Sequence, residues 1–249
     1  MITLYDVASK YPRGQTWSPN VWRVRYILDF KGIPYTIVPV EYYDIESTLK
    51  GAGIGTTGRR NDGSDLYTVP AIVDPKTGAK VSDSIKIALY LEESYPDTPS
   101  LFPHNTSALH QAFFSNFYSS IAPIWVTIVP RIPLVLSERA SVWFIDLRSK
   151  TLGKPLNQTD PVGEPRKELF RKTREVFATF DGFYEKNGGG QFIMGNTPGF
   201  ADLMIAAAIQ GLKVWGEDSS EWRDFCTWDR GRWTQLLEAV VRCTGDQNE

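Results

Sequence analysis

The chain has 249 residues, a length that fits one large domain or two of modest size. Its formal net charge is −2, so it lacks the strongly basic character expected of a protein that binds nucleic acid or an anionic membrane. It contains 8 Trp, 11 Tyr and 13 Phe, more than core filling usually requires, which favours a site for flat apolar molecules. No stretch of about 18 apolar residues occurs, so the sequence predicts no membrane span.

Cysteine and histidine are scarce. The two cysteines, Cys226 and Cys243, suggest neither a disulfide framework nor a metal site and favour a reducing, cytoplasmic location. The first ten residues are too few and too polar for a secretion signal. His104 and His110 are expected at the surface or at helix starts, which argues against a histidine metal site or a Ser–His–Asp triad.

The first forty residues predict a βαβ unit. MITLYDV is typical of a strand, and apolar residues then recur at helical spacing from Val21 to Leu28. Arg23 and Arg25 are expected on another face of that helix. YTIVPVEY is a short apolar, β-branched run, which predicts a second strand buried on both faces. Such a unit implies a parallel pair of strands with a right-handed crossover.

Residues 44–66 are rich in Gly and polar residues, which predicts a loop with at most one short helix. Their glycines lack the G-K-[ST] of a phosphate-binding loop. The segment YTVPAIVDPKTGAKVSD predicts a hairpin, and a helix follows that begins at Asp83 or Ser84 and is ended by Pro96. The order β-α-β-loop-β-β-α resembles the thioredoxin fold as it occurs in the glutathione transferase family.

A proline-rich linker, residues 97–104, leads into a part that is predicted to be entirely helical. Three prolines between residues 123 and 133 are expected to kink or end its first helix. Residues 200–215 are apolar on nearly every face and are expected to form its central helix, with Asp202 meeting free N–H groups near Gly199. Further helices are predicted over residues 106–125, 137–150, 166–186, 221–228 and 231–242.

The stretch Trp-Ser-Pro-Asn before the first helix allows two interpretations. Ser18 followed by Pro19 is a good helix start on backbone chemistry alone. The same position presents unpaired N–H groups and the positive end of a helix dipole to an anion. Thioredoxin-fold redox proteins carry C-x-x-C here, and without sulfur this chain cannot perform dithiol exchange through the motif. A serine can still donate a hydrogen bond to a thiolate supplied by a ligand and so lower the pKa of that thiol.

Two further points are open in the same way. Val69-Pro70 precedes a predicted strand, and Pro70 is either an ordinary trans proline or a cis one. Asp83 and Ser84 open a helix, either as a simple capping pair or as a site whose N–H groups and hydroxyl suit a carboxylate. In the second case Asp83 suits an ammonium group.

Together these features resemble the glutathione transferase family over essentially the whole chain. The resemblance implies an α/β plus all-α fold: a thioredoxin-like, glutathione-binding domain over residues 1–96 and an all-helical domain over residues 105–249. Within the family, SPNVWRVRYILDFKGIPY and ERASVWFIDLRSK are similar to serine-type enzymes of the fungal Fua class, which is related to bacterial β-etherases. One departure is Gly199, which stands where the family usually has a capping hydroxyl, so a weaker helix cap is expected there.

The resemblance also implies a site. Ser18 is the expected catalytic residue and stabilises the thiolate of glutathione, the co-substrate. Asn20 serves as a second donor to the sulfur, the Val69 backbone pairs with the cysteinyl backbone beside a cis Pro70, and the γ-glutamyl end lies at the next helix start. The implied glutathione-binding residues are Asn20, Val69, Pro70, Asp83 and Ser84. The residue that holds the glycyl carboxylate is left open among Lys50, Arg59 and Arg60, each of which is otherwise an ordinary surface charge.

Aromatic residues beside Ser18 are expected to line a hydrophobic acceptor site. Trp17, Phe117 and Tyr118 are the candidates, although an aromatic stripe at helical spacing is also typical of a core. The implied activity is conjugation, or thiol-dependent ether cleavage, of polyphenolic or lignin-derived aromatic compounds. The alternative is a ligandin-type carrier that binds glutathione and aromatic ligands with little turnover. No metal, nucleic-acid or membrane partner is expected, and the resemblance implies a homodimer.

Overall fold

The computed structural model describes residues 1–10, 16–60 and 62–245. The first part is built on a four-stranded sheet in the order β2-β1-β5-β6, in which β1 and β2 are parallel and the other pairs are antiparallel. The parallel pair confirms the predicted βαβ unit, and the antiparallel β5–β6 pair confirms the predicted hairpin. The elements of this part are β1 Ile2–Val7, α1 Pro19–Phe30, β2 Tyr35–Val40, α2 Ile45–Gly51, β3 Gly58–Arg59, β4 Asp65–Leu66, β5 Ala71–Val73, β6 Lys80–Ser82 and α3 Ser84–Ser94.

The second part is helical, as the sequence predicts. Between α4 and α5 the chain forms two 3-10 helices, Ala122–Thr127 and Val129–Leu134, each with a proline near its start. The predicted proline kinks are therefore tight helical turns rather than open loops. The α-helices are α4 Ser107–Ile121, α5 Glu138–Leu152, α6 Glu164–Lys186, α7 Phe200–Gly216, α8 Ser220–Phe225 and α9 Arg232–Thr244. None of the helices in the described ranges is long and apolar enough to cross a membrane.

Two hydrophobic clusters, a large one and a smaller one, each contain residues from both parts. Helix α7 is buried along residues 200–209 and packs against α1, α4 and α9, so the prediction of a central helix is confirmed. Because α1 lies between the sheet and α7, it is covered on nearly all sides, and residues 21–28 are all buried. The start of α1 is therefore set by packing from both parts of the chain.

Two predictions about burial are wrong, and two arginines of α1 are also buried. Strand β2 is not buried on both faces: it is an edge strand, and Val38 and Pro39 are exposed. An edge strand accommodates Pro39 because its missing N–H is not needed by a neighbour. His110 is buried inside α4 rather than at the surface. Arg23 and Arg25 are buried with the apolar face of α1.

The loop over residues 44–66 contains the one short helix that was allowed for, α2, and also the small β3–β4 hairpin, which was not expected. Residue 61 of this loop and residues 246–249 of the predicted helical domain lie outside the described residues.

Candidate functional site

The sheet register brings the three candidate segments to one edge. Tyr5 lies opposite Ala71, and Ala71 lies opposite Ser82. The carboxyl end of β1, the start of β5 and the end of β6 therefore meet. The turn before α1, the Val69-Pro70 step and the Asp83-Ser84 helix start all emerge there.

Ser18 is the N-cap of α1, but its side chain does not cap the helix. Its carbonyl oxygen accepts hydrogen bonds from the N–H groups of Val21 and Trp22, at 3.1 and 3.0 Å. Its hydroxyl makes no capping hydrogen bond and is 7% exposed at the residue level. Pro19 fills the first helical position, where no N–H is needed. The helix therefore begins without the hydroxyl, which leaves that group for another partner.

A buried polar network anchors the turn that carries Ser18. The Thr16 hydroxyl donates to Asp6 Oδ2 at 2.7 Å and accepts from Arg25 Nη1 at 3.0 Å. The carbonyl oxygen of Thr16 accepts from the indole of Trp22 at 2.8 Å. Burial raises the pKa of Asp6 to about 6. This network ties the turn to both β1 and α1, and none of these residues had been assigned a role from the sequence.

Val69 offers main-chain hydrogen-bonding groups at the site. The Val69-Pro70 peptide bond is cis, in agreement with the isomer that the resemblance implied. Neither the N–H nor the C=O of Val69 has a hydrogen-bond partner among the described residues. An extended peptide lying beside Val69 could use both groups.

The start of α3 combines a cap with free donors. Asp83 has a φ of 81°, a left-handed conformation that is uncommon for a residue other than glycine and is often found at functional sites. Its Oδ1 accepts from the N–H groups of Ile85 and Lys86, at 3.0 and 3.1 Å. Ser84 is buried, and its N–H has no partner among the residues described. Asp83 thus acts as a cap, and the adjacent N–H and hydroxyl of Ser84 remain available.

Arg23 places a buried positive charge next to this helix start. Its Nη1 lies 3.5 Å from Ser84 Oγ, and its guanidinium stacks over the ring of Tyr118 at 4.2 Å. Burial lowers the pKa of Arg23. The guanidinium keeps its charge, since arginine is not deprotonated in proteins. Arg23 lies off the apolar stripe of α1, so no local sequence signal identifies it; its surroundings come from α3 and α4.

The remaining candidate polar residues differ in their surroundings. Asn20 lies in the first turn of α1, half-buried, and its side chain makes no hydrogen bond to a described residue. Lys50 and Arg60 both pair with Glu46, at 2.8 and 3.4 Å, and Arg59 is exposed near the β3–β4 hairpin. Their role toward a glycyl carboxylate stays a prediction.

The predicted acceptor-site residues occupy three different environments. Phe117 is fully buried against Phe177 and Phe180, so its assignment to the acceptor site is corrected to core packing. Trp17 is also buried and meets Trp215 edge-on at 5.8 Å. Tyr118 is half-buried against Arg23. The roles of Trp17 and Tyr118 stay predictions.

A small cavity of about 50 Å³ lies in the helical part, and Trp215 in its lining also meets Trp17. The residues that line it come from the 3-10 helices after α4, from α6, from the end of α7, and from α8 and the turn that follows it. None of the three predicted acceptor residues is among them. Its aromatic lining is Phe170, Trp215, Trp222, Phe225 and Trp228.

The glycine at the start of α7 is explained by its neighbour His110. A Cβ at Gly199 would lie 2.6 Å from His110 Cε1, so a side chain there would clash. His110 Nδ1 accepts from the N–H of Ala201 at 3.3 Å, and Asp202 Oδ2 accepts from the N–H of Gly199 at 3.0 Å. The expected weak cap is therefore replaced by acceptors from α4 and from α7 itself.

Helix α7 also sets the position of the Ser18 turn through Gly211. A Cβ at Gly211 would lie 2.7 Å from Pro19 Cβ, a distance that forces one helix to move. We expect Gly211→Ala to lower the free energy of unfolding by about 1–2 kcal/mol, because the clash outweighs the better helix propensity of Ala. Urea unfolding measures this. Gly182→Ala, in α6 with no atom within 4 Å of the new Cβ, is the control and should stabilise the protein by about 0.5–1 kcal/mol. Equal effects at both glycines would contradict close packing at Pro19.

The fold and the site define a class: a thioredoxin-like sheet domain with a serine, a cis proline and an Asp-Ser helix start at one edge, followed by a helical domain. The family models for the N-terminal and C-terminal domains of glutathione S-transferase match residues 17–94 and 108–242. The chain belongs to the glutathione transferase family. Glutathione is the co-substrate of that family, so the cofactor prediction is confirmed at family level.

Fungal proteins are prominent among the similar proteins. A glutathione S-transferase from Ceriporiopsis subvermispora, solved in complex with glutathione, has a TM-score of 0.90 and 36% identity, with 97% of each chain covered. A FuA-type glutathione transferase from Phanerochaete chrysosporium has a TM-score of 0.89 and 37% identity, covering 97% of this chain and 96% of the other. The glutathione S-transferase-like protein ustS of Aspergillus flavus is 29% identical over 98% of this chain and 91% of its own. The predicted resemblance to fungal glutathione transferases is confirmed.

Proposed function

We propose that this protein is a serine-type glutathione transferase in which Ser18 activates the thiol of glutathione. The observation that carries the proposal is the Ser18 hydroxyl, which lies at the start of α1 and is not used to cap it. The positive end of the α1 dipole and a hydroxyl donor both favour a thiolate over a thiol at this point. Similar fungal structures that contain glutathione support this tripeptide as the source of the sulfur.

The tripeptide fits the remaining free groups in an extended form. Its cysteinyl main chain pairs with the N–H and C=O of Val69, which have no other described partner. Its γ-glutamyl group lies at the start of α3, where the N–H and hydroxyl of Ser84 donate to the carboxylate and Asp83 attracts the ammonium group. Asn20, in the first turn of α1, serves as a second donor to the sulfur.

The chemistry is nucleophilic attack by sulfur. The thiol loses its proton to solvent, because Ser18 and the dipole stabilise the anion, and the thiolate then attacks an electrophilic carbon. In conjugation by displacement a C–S bond forms as the bond to the leaving group breaks. In ether cleavage the leaving group is an aryloxide, which takes a proton from solvent. Trp17 and Tyr118 are the proposed walls for an aromatic acceptor of polyphenolic or lignin-derived type.

A second candidate is a ligandin-type carrier. The specific observation in its favour is the aromatic lining of the cavity in the helical part, which includes none of the three predicted acceptor residues. A flat ligand held there needs no contact with the sulfur of glutathione. The free thiols Cys226 and Cys243 support the proposed cytoplasmic location, and the homodimer rests on the family resemblance alone.

Turnover and binding measured together separate the two candidates. The purified protein is incubated with glutathione and with three acceptors: an activated aryl halide, an α,β-unsaturated ketone and a β-aryl ether ketone. Mass spectrometry detects the glutathionyl products and the phenol released from the ether. Product formation that is faster than the uncatalysed reaction supports the enzyme, and the reactive acceptor gives the reaction type. Stoichiometric binding of aromatic ligands without product from any acceptor would support the carrier instead.

A further inference from the structure

The guanidinium of Arg23 is the most unusual polar group near the proposed glutathione site. Arg23 is 7% exposed and is enclosed by α1, the start of α3 and helix α4. Its charged carbon lies 4.2 Å from the ring centre of Tyr118 and 5.0 Å from that of Phe114. Nε and Nη2 are buried and have no hydrogen-bond partner among the residues that the structure describes.

No carboxylate in the described part of the chain pairs with this charge. The Asp83 carboxylate attracts the charge of Arg23 without forming an ion pair with it, and its Oδ1 accepts from the N–H groups of Ile85 and Lys86. A buried and unpaired cation is costly, and aromatic faces compensate for only part of that cost. The free protein therefore holds a positive potential at the start of α3 that an anion would offset.

In the hydrogen bond between Arg23 and Ser84, only Arg23 can be the donor. Arginine has no acceptor, so Nη1 donates and Ser84 Oγ accepts, at 3.5 Å. The hydroxyl hydrogen of Ser84 is then directed to another partner. The N–H of Ser84 is also without a described partner, so the residue presents two donors. Arg23 orients the first of these donors and polarises it.

We propose that Arg23 is a positioning residue for the ligand carboxylate at the start of α3: it orients the Ser84 hydroxyl and supplies the charge that balances the carboxylate. This rests on the proposed function, in which that carboxylate belongs to the γ-glutamyl group of glutathione. Arg23 acts through Ser84 and its field rather than by direct contact, since its own free nitrogens are buried. The rival role is purely structural, namely stacking on Tyr118 to join α1 to α4.

A ligand pair distinguishes these roles. Glutathione is compared with 4-aminobutyryl-cysteinyl-glycine, which lacks only the γ-glutamyl α-carboxylate. Isothermal titration of wild type and Arg23→Met gives four dissociation constants. We expect Arg23→Met to bind glutathione roughly 10- to 50-fold more weakly and the decarboxylated analogue within about 3-fold of wild type. Equal weakening for both ligands, or no change for either, would overturn the proposal.

Stability and coupling provide two further readouts. Ligand-free Arg23→Met should have a Tm within about 3 °C of wild type or above it, because an unpaired buried charge is removed. Arg23→Met combined with Ser84→Ala should weaken glutathione binding by less than the product of the single effects, since one acts through the other. If the double variant weakens glutathione binding by the full product of the two single effects, Arg23 does not act through Ser84. If Arg23→Met does not fold, Arg23→Gln takes its place in both tests.

Arg139→Met is the matched control, because Arg139 also lies 4.2 Å from a tyrosine ring, that of Tyr43, but is exposed and belongs to α5. It should leave both dissociation constants unchanged. The test also separates this proposal from the proposed function. If wild type binds glutathione, but Arg23→Met keeps the same preference for glutathione over the decarboxylated analogue, only the proposal about Arg23 is overturned and the proposed function stands. If wild type binds neither ligand, both are overturned.

Discussion

Asp202→Ala is expected to lower the free energy of unfolding by about 3–5 kcal/mol at pH 7, which is among the largest single-residue effects in the molecule. The Asp202 carboxylate is fully buried at the start of α7. It accepts from Tyr184 Oη and the N–H of Ile193, both at 2.9 Å, and from the N–H of Gly199 at 3.0 Å. Alanine leaves these buried donors without an acceptor, and each costs about 1–3 kcal/mol before any rearrangement. Urea unfolding with two-state analysis measures the loss.

The same carboxyl predicts a pH dependence with a definite sign. Burial raises the pKa of Asp202 to about 6, above its usual 3.8, although the three hydrogen bonds oppose the shift. The folded state therefore holds the proton more tightly than the unfolded state. The resulting stability is fully present below pH 4 and is lost as the pH rises to about 6. The difference in the free energy of unfolding between wild type and Asp202→Ala should accordingly be about 1–2 kcal/mol larger at pH 5 than at pH 7.

An exposed aspartate provides the control for both measurements. Asp146 pairs with Lys150 at 2.7 Å on the surface of α5, so Asp146→Ala should change the unfolding free energy by less than about 0.5 kcal/mol at either pH. If the difference in the free energy of unfolding between wild type and Asp202→Ala instead increases toward pH 7, the assigned direction of the pKa shift is wrong.

Ser18→Ala is expected to reduce kcat/KM for glutathione conjugation roughly 10- to 100-fold at pH 6.5, with little change in stability. The variant loses a hydrogen bond to an anion, which is worth about 1.5–3 kcal/mol. It loses no helix cap, because the wild-type hydroxyl makes none. The defect should shrink as the pH approaches the pKa of free glutathione, where the thiolate forms without help. Initial rates with an activated aryl halide from pH 6 to pH 9 measure this.

Ser137→Ala is the matched control, with the opposite pattern. Ser137 is also an N-cap serine, but its hydroxyl oxygen accepts from the N–H of Ala140 and donates to Glu41. Its loss should cost about 1 kcal/mol of stability and leave the activity unchanged. If instead Ser18→Ala loses stability and retains its full rate at pH 6.5, Ser18 is an ordinary cap.

Hydrophobic pattern and turn chemistry predict most of this fold. The βαβ unit, the hairpin and the central α7 all follow from local rules, because each depends on spacing within one segment. The three candidate segments were also identified, since Ser-Pro, Val-Pro and Asp-Ser each mark a local backbone feature. Their convergence at one edge of the sheet became visible only with the register of β1, β5 and β6.

The errors arise where a second element covers a side chain. The helical pattern puts Arg23 and Arg25 off the apolar stripe of α1, but other elements also cover that side and both residues are buried. Phe117 was assigned to an acceptor site, yet helix α6 covers it. His110 looked like a surface residue because its partner, Gly199, is far away in sequence. Contacts of this kind cannot be read from the periodicity of one helix.

Titration of the bound thiol tests most directly whether this corner of the protein stabilises a sulfur anion. Thiolate absorbance near 240 nm is followed against pH for the complex with glutathione and for the protein alone. We expect the pKa of the bound thiol to lie about two units below that of free glutathione in wild type. In Ser18→Ala we expect most of this lowering to be lost. A bound thiol that ionises at the same pH as free glutathione, in a complex that forms normally, would contradict this expectation.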